Sequence, residues 1–314
     1  MISPATLTEL RDAVLSAPRV IAVGAETKPR LSAAETVKIS TRPLSGITEY
    51  EPSEFTFSAL AGTPVREIIA ALDEKGQYLP FDPMLVEAGS TIGGVVASGL
   101  SGSGRFRYGG VRDFILGVRF VDGLGRLLRL GGKVVKNAAG FDVPKFVVGS
   151  LGRFGVIGEV TFKVFPKPES TFTLQMPFSS EKMAQLANSR FEIDALDVLP
   201  GGETMLVRLA GPAKALEVLA KEIGGEVTDS TVWRVIRETP WSFKADITLD
   251  QINDFKTAHV SCGGNVAFSN APPPRGMTPR GDSPLWIGGR PRFAIEAAVK
   301  QALDPQNRFP TLDD

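Results

Sequence analysis

Residues 19–165 alternate between two hydrophobic rhythms, one with the two-residue period of strands and one with the longer period of helices. Residues 19–23 form a short apolar run that enters a loop at 24–28. In 54–60, Phe55, Phe57 and Ala59 alternate with Thr56 and Ser58, which predicts a half-buried strand. The rhythm then turns helical: Val65, Ile68, Ile69 and Leu72 share a face, with Thr63 as N-cap, Pro64 as first helical residue and Gly76 as stop. Segments 114–121 and 126–130, joined through Asp122 and Gly123, predict a hairpin. Alternation returns over 156–165, and Pro166 and Pro168 then punctuate the chain. Ahead of all this, 1–14 reads as a polar amphipathic helix carrying Leu7, Leu10 and Val14.

The second half has a different character. Strand patterns at 171–176, 193–199 and 204–209 are interspersed with helical patterns at 181–189, 213–223 and 292–303. That order suggests an α+β domain built on a mostly antiparallel sheet. Residues 271–284, rich in Pro, Gly and Arg, read as an exposed loop. The expected division is therefore 1–168 and 169–314, as befits a chain of 314 residues, longer than a single core usually serves.

Composition narrows the function by exclusion. Lys plus Arg and Asp plus Glu are both 35, so there is no basic field to hold a nucleic-acid backbone. A single cysteine, Cys262, rules out an internal disulfide framework and a cysteine-ligated metal cluster. A single histidine, His259, argues against histidine metal sites and a serine–histidine triad. Side chains so poorly stocked for redox or acid–base work favour an organic cofactor. The N-terminus lacks the basic and apolar regions of a signal peptide, and no apolar run is long enough to span a bilayer, so a cytoplasmic location is expected and no metal site.

Glycine is concentrated between Gly89 and Gly158. Such density gives up packing and costs folding entropy, so it needs a reason. One reason is backbone N–H groups turned toward phosphate oxygens; the plainer one is a set of tight turns in a small sheet. Two familiar phosphate loops fail: Lys133 is followed by Val134 rather than Ser or Thr, and Gly102 and Gly104 lead to Arg107 where a third glycine belongs.

The motifs LSGITEYEP (44–52), AGTP (61–64), GQYLPFDP (76–83) and STIGG (90–94) are followed by YGGVRD (108–113), KNAAGFD (136–142), GSLG (149–152) and GVI (155–157). In this order they resemble the vanillyl-alcohol-oxidase, or PCMH-type, FAD-binding family, and within it the FAD-binding E subunits of bacterial glycolate oxidases. The resemblance is dense over 19–168 and faint beyond. It implies a two-subdomain PCMH-type FAD-binding domain followed by a smaller antiparallel α+β cap domain. It further implies noncovalent FAD, a small 2-hydroxy-acid substrate, and a complex with a second flavin subunit and an iron–sulfur subunit, which would place the chain in the cytoplasm or peripherally at the inner membrane.

By the same resemblance, Gly24, Thr27 and Lys28 belong to the first phosphate loop. Gly89, Ser90, Thr91, Ile92, Gly93 and Gly94, then Gly99, Ser101, Gly102 and Arg105, follow the diphosphate and ribityl chain. Tyr108 and Gly109 count among the cofactor contacts, Asn137, Gly140 and Asp142 line the flavin side, and the Ile157 backbone meets the adenine. The residues themselves agree in part: Thr91 suits the N-cap of a short helix starting at Ile92, and Arg105, Arg107 and Arg112 offer compensating charge or stand as solvated arginines. Asp142 bonds a ribityl hydroxyl or, on the simpler reading, caps the helix after it.

Three departures from the family pattern stand out. Its glycine-rich first phosphate loop reads GAETK here, with Glu26 beside a diphosphate, expected to turn to solvent or toward Lys28 unless it weakens binding. Phe309 stands where an asparagine usually precedes the last proline, and loop 99–110 has no His or Cys for covalent flavin attachment. No catalytic residue is identified. His259 is a candidate base that reads more simply as structural, and Arg208, Arg234 and Arg237 are candidate carboxylate partners. The alternatives are a non-catalytic FAD-binding or scaffold subunit, and an FAD-dependent reductase of the peptidoglycan-precursor type.

Overall fold

The computed structural model describes residues 1–132, 142–290 and 292–314. Helix Leu7–Leu15 is started by Thr6, whose side chain accepts from the Glu9 N–H, and it buries Leu10, Ala13 and Val14. These pack on a parallel strand pair, Val20–Val23 beside Val37–Ser40, which opens the first subdomain. The second subdomain is a five-stranded antiparallel sheet in the order Ile47–Glu51, Thr56–Leu60, Val156–Lys163, Ile115–Val121, Leu127–Gly131. Val160 and Phe162 in its central strand point into a core shared with Phe57, Phe81 and Phe114, where ring centroids lie 5.4–5.9 Å apart. The expected hairpin is present as its last two strands.

Two local expectations needed correction. Thr63 is not an N-cap: its hydroxyl donates to the Leu60 carbonyl at 2.6 Å and accepts from the Gly46 N–H at 2.9 Å, leaving Pro64 ahead of helix Val65–Asp73. The strand expected from residue 54 starts at 56, because Pro52–Glu54 is a 3-10 turn that closes with Phe55 at φ 52°, outside the alternation.

The second half is a nine-stranded sheet in the order Glu226–Thr228, Ser170–Pro177, Thr204–Gly211, Ile193–Val198, His259–Ser261, Val266–Ser269, Phe243–Asp246, Gly276–Met277, Trp286–Ile287. All its pairings are antiparallel. Segment 271–284 is only in part the exposed loop its composition suggested: it contains strand Gly276–Met277, and Met277, Thr278 and Pro279 are buried. After helix Ala294–Leu303 the chain returns to the first subdomain, where the Arg308 carbonyl accepts from the Val20 N–H at 2.8 Å. Phe309 is buried there against Leu10, Val14 and Val20, so the residue that replaces the family's asparagine is a core plug.

Two buried polar ladders join the halves. Asp197, fully buried, accepts from Ser103 Oγ at 2.5 Å and Ser261 Oγ at 2.9 Å. Arg208 donates through Nη2 to Asp82 at 2.6 Å and through Nε to Asp194 at 2.5 Å. Ser103 and Asp82 belong to the first half, and the other groups to strands of the second. Among the described residues no helix is long and apolar enough to cross a membrane.

Candidate functional site

A trench with two chambers follows the glycine-rich segment. The first, with a volume of about 90 Å³, is lined by the loop around Gly24, the start of helix Ile92–Ser98, and the turn at Gly152 leading to Ile157. The second, of about 640 Å³, lies between the two halves and is lined by Gly99, Arg105 and Arg112 on one side and Lys244, Arg275 and Trp286 on the other. Ser98 lines both, so the chambers adjoin.

The helix at the chambers' junction starts as its sequence dictates. The Thr91 side chain accepts from the Gly94 N–H at 3.3 Å, and Gly99 at φ 65° ends the helix. Gly93 is required by its own chain, since a Cβ there would lie 2.8 Å from the Ala61 carbonyl oxygen. At Gly24 a Cβ would lie 2.6 Å from Thr91 Oγ1, so only glycine lets the loop approach the helix start.

The first chamber fits an anionic cofactor on two observations. Lys28 is buried and makes no ion pair among the described residues; burial first, and Arg280 second, lower its pKa to about 8. Ser90 Oγ is buried without a hydrogen-bond partner, an orphan that a bound ligand can satisfy. Glu26 answers the expected clash by adopting φ 55° and pairing with Lys38 at 3.7 Å, rather than with Lys28. Because Ser90 Oγ has no bond to lose, Ser90→Ala is expected to leave the stability of the cofactor-free chain unchanged. The same substitution should weaken FAD binding by about 1 kcal/mol, or roughly fivefold, in a fluorescence titration.

Of the residues the resemblance pointed to, Gly24, Thr27, Lys28, Ser90, Thr91, Gly93, Gly94 and Ile157 line the first chamber, and Gly99 and Arg105 the second. Others lie off the trench. Ile92 is a core residue, and Gly89, at φ 86°, is a turn beside it. Gly102 is glycine because a Cβ would lie 2.7 Å from the Asp82 carbonyl oxygen. Ser101 Oγ accepts from the Val111 N–H at 3.1 Å. Tyr108 meets Phe165 edge-on, and a Cβ on Gly109 would strike the Asp113 carboxylate. Asp142 caps helix Val143–Phe146 through the Lys145 N–H at 3.2 Å. Asn137 and Gly140 lie outside the described residues.

The substrate-side candidates are otherwise engaged. His259 is buried in a strand, stacked on Trp241, with Nε2 2.9 Å from Asp197 but poorly aligned for a hydrogen bond. It lines neither chamber, which agrees with the structural reading. Arg208 is consumed by Asp82 and Asp194, Arg234 by Glu87, Arg237 by Glu238, and Arg107 by Glu192. The second chamber instead presents Arg105, Arg112 and Arg275, none ion-paired among the described residues. Arg275 was missed because it sits in a Pro- and Gly-rich segment whose composition says only "loop".

The description "FAD binding domain" matches residues 1–131. The chain is 34% identical over 244 residues to "Glycolate oxidase subunit GlcE" of Escherichia coli (strain K12), covering 77% of this chain and 70% of that one. It is 32% identical over 157 residues to "Glycolate oxidase subunit GlcD" of Bacillus subtilis (strain 168), covering 50% of this chain and 33% of that one. Two crystal forms of alkyldihydroxyacetonephosphate synthase superimpose over 98% of this chain with TM-scores of 0.65 and 0.69 at 16% identity, covering 74% and 75% of those chains. These last two matches describe the fold alone.

Proposed function

Since this chain belongs to the family of the glycolate oxidase subunit GlcE, we propose that it is an FAD-linked oxidoreductase subunit acting on the CH–OH group of a small 2-hydroxy acid. The observation that carries the proposal is the trench itself. Its narrow chamber holds a buried cation that makes no ion pair among the described residues, and its wide one lies where the two halves meet, large enough for a ring system and a small substrate. The FAD domain is residues 1–168 and the cap 169–314, with 304–314 folded back on the first subdomain.

Bound FAD would supply the two-electron acceptor. Lys28 would meet the diphosphate, with Ser90 Oγ donating beside it, and the N–H groups at the start of helix Ile92–Ser98 would add positive field. The segment around Gly24, held against Thr91, keeps side chains out of that path. In the wide chamber Arg105, Arg112 and Arg275 offer positive charge to a substrate carboxylate. The relatives named as glycolate oxidase subunits support assembly into a multi-subunit complex. Within it, alongside a second flavin subunit, an iron–sulfur subunit would receive the electrons, in the cytoplasm or at the inner membrane.

One observation favours the non-catalytic alternative: the described residues of the wide chamber include no histidine, and His259 is locked in the core. A visible spectrum of the natively purified chain, repeated anaerobically with glycolate and with D-lactate, separates the readings. Flavin absorbance bleached by either acid supports catalysis. Flavin that stays oxidised, or no flavin after incubation with FAD, supports the non-catalytic subunit and assigns the chemistry to a partner.

A further inference from the structure

Loop 279–283 belongs by sequence to the cap half, yet it is bound once to the first phosphate loop and twice to Arg30 in the turn that follows it. Arg280 Nη1 donates to the Thr27 carbonyl at 2.5 Å. The Arg30 N–H donates to the Pro279 carbonyl at 3.2 Å, and Arg30 Nε to the Ser283 carbonyl at 2.8 Å. The turn that carries Lys28 is therefore shaped from both halves of the chain.

The charges here do not balance internally. Lys28 is 8% exposed and lines the narrow chamber; among the described residues its ammonium makes one hydrogen bond, to Thr27 Oγ1, long at 3.5 Å. The charged group acting on it most strongly is a second cation, Arg280. The nearest carboxylate in sequence, Glu26, is drawn off to Lys38. Among the described residues Arg280 makes no ion pair, and its Nε and Nη2 make no hydrogen bond. A buried ammonium beside a half-buried guanidinium, neither ion-paired among the described residues, is costly, and a diphosphate brings the missing charge.

Resting on the FAD reading above, we infer that Arg280 is a positioning residue of the cofactor site. Through the Thr27 carbonyl it holds the 24–28 turn in shape, and its charge joins that of Lys28 to make a two-cation subsite for the cofactor's diphosphate. Cofactor retention then depends on the cap half, which lies outside the part of the chain matched as an FAD-binding domain.

The test titrates the full chain with FAD, ADP and adenosine, comparing wild type with Arg280→Gln, Arg280→Lys and Lys28→Met. Arg280→Gln should weaken FAD and ADP about tenfold each and leave adenosine, which lacks phosphate, unchanged. Arg280→Lys keeps the charge and should recover part of the loss. A thermal melt of each variant checks folding, and if Arg280→Gln does not fold, Arg280→Lys decides, with a smaller loss confined to FAD and ADP. Wild-type affinity for FAD and ADP in the Arg280 variants overturns the inference, as does an equal loss for adenosine, which would mean a general distortion. A wild-type chain that takes up no FAD overturns the FAD reading itself, and this inference with it.

Discussion

Arg208→Ala is expected to cost about 3–5 kcal/mol of folding stability, the range for removing one partner of a buried ion pair. The side chain is 12% exposed and bridges Asp82, 19% exposed, and Asp194, 5% exposed. Burial works against its charge, but the two carboxylates outweigh burial and hold its pKa above the ordinary value. Without the guanidinium, two like charges are left facing each other in a partly dehydrated seam. Trp233 also loses the cation 5.1 Å over its ring. Because Asp82 lies in the first half and Arg208 and Asp194 in the second, the damage should fall on the joint. Urea unfolding followed by tryptophan fluorescence and by circular dichroism should change from coincident to separated transitions. A loss below about 1 kcal/mol would show the ladder to be no stronger than a surface pair. Adding Asp82→Asn and Asp194→Asn to the alanine variant should restore part of the loss, since neutral amides remove the repulsion.

Lys28→Met should act in opposite directions on the empty and loaded protein. In the empty chain the lysine is a burden. Its pKa is lowered to about 8 from an ordinary 10.5, so the folded state is penalised wherever the unfolded chain would be protonated. The penalty is full below about pH 8, relieved as pH rises from there, and gone above the unfolded value. From the size of the shift it is on the order of 3 kcal/mol, and methionine, of similar length, removes it. With FAD present, the same ammonium gains a diphosphate. Losing a charge-assisted hydrogen bond of about 1.5–3 kcal/mol should raise the Kd roughly 10- to 100-fold. The charged groups around it are Arg280, which opposes the ammonium, and Glu26, which is held by Lys38. Wild-type FAD affinity should therefore fall as pH rises past about 8, and the methionine variant should lose that slope. Equal slopes in the two proteins would remove Lys28 from the diphosphate site.

Wherever the physics was local, the elements could be read from the chain. The alternation over 156–163, the helical face of Val65, Ile68 and Leu72, and the Thr91 cap are set by neighbours within a turn or two. Where a distant segment decided, sequence reasoning reached its limit. The glycines at 102 and 104 meet a need that their own fold creates: a Cβ on Gly104 would lie 2.0 Å from the Pro80 carbonyl oxygen. They are small because their own chain passes close by, and bare backbone looks the same in sequence whichever neighbour it meets. Phe309 looked like a lost flavin contact because only the core it fills, built from Leu10, Val14 and Val20, explains it. Arg275 and Arg280 were hidden for the same reason: what they face lies across the chain, near residues 105–112 and 27–28.

The return of residues 304–314 to the first subdomain fixes an order of events during synthesis. Leu10, Val14 and Val20 leave the ribosome nearly three hundred residues ahead of Phe309, which completes their packing. The strand pair at 20–40 must therefore wait, with apolar surface uncovered, until Phe309 has been translated. A nascent chain stalled before residue 304 should expose that surface to chaperones even when its five-stranded sheet has already formed.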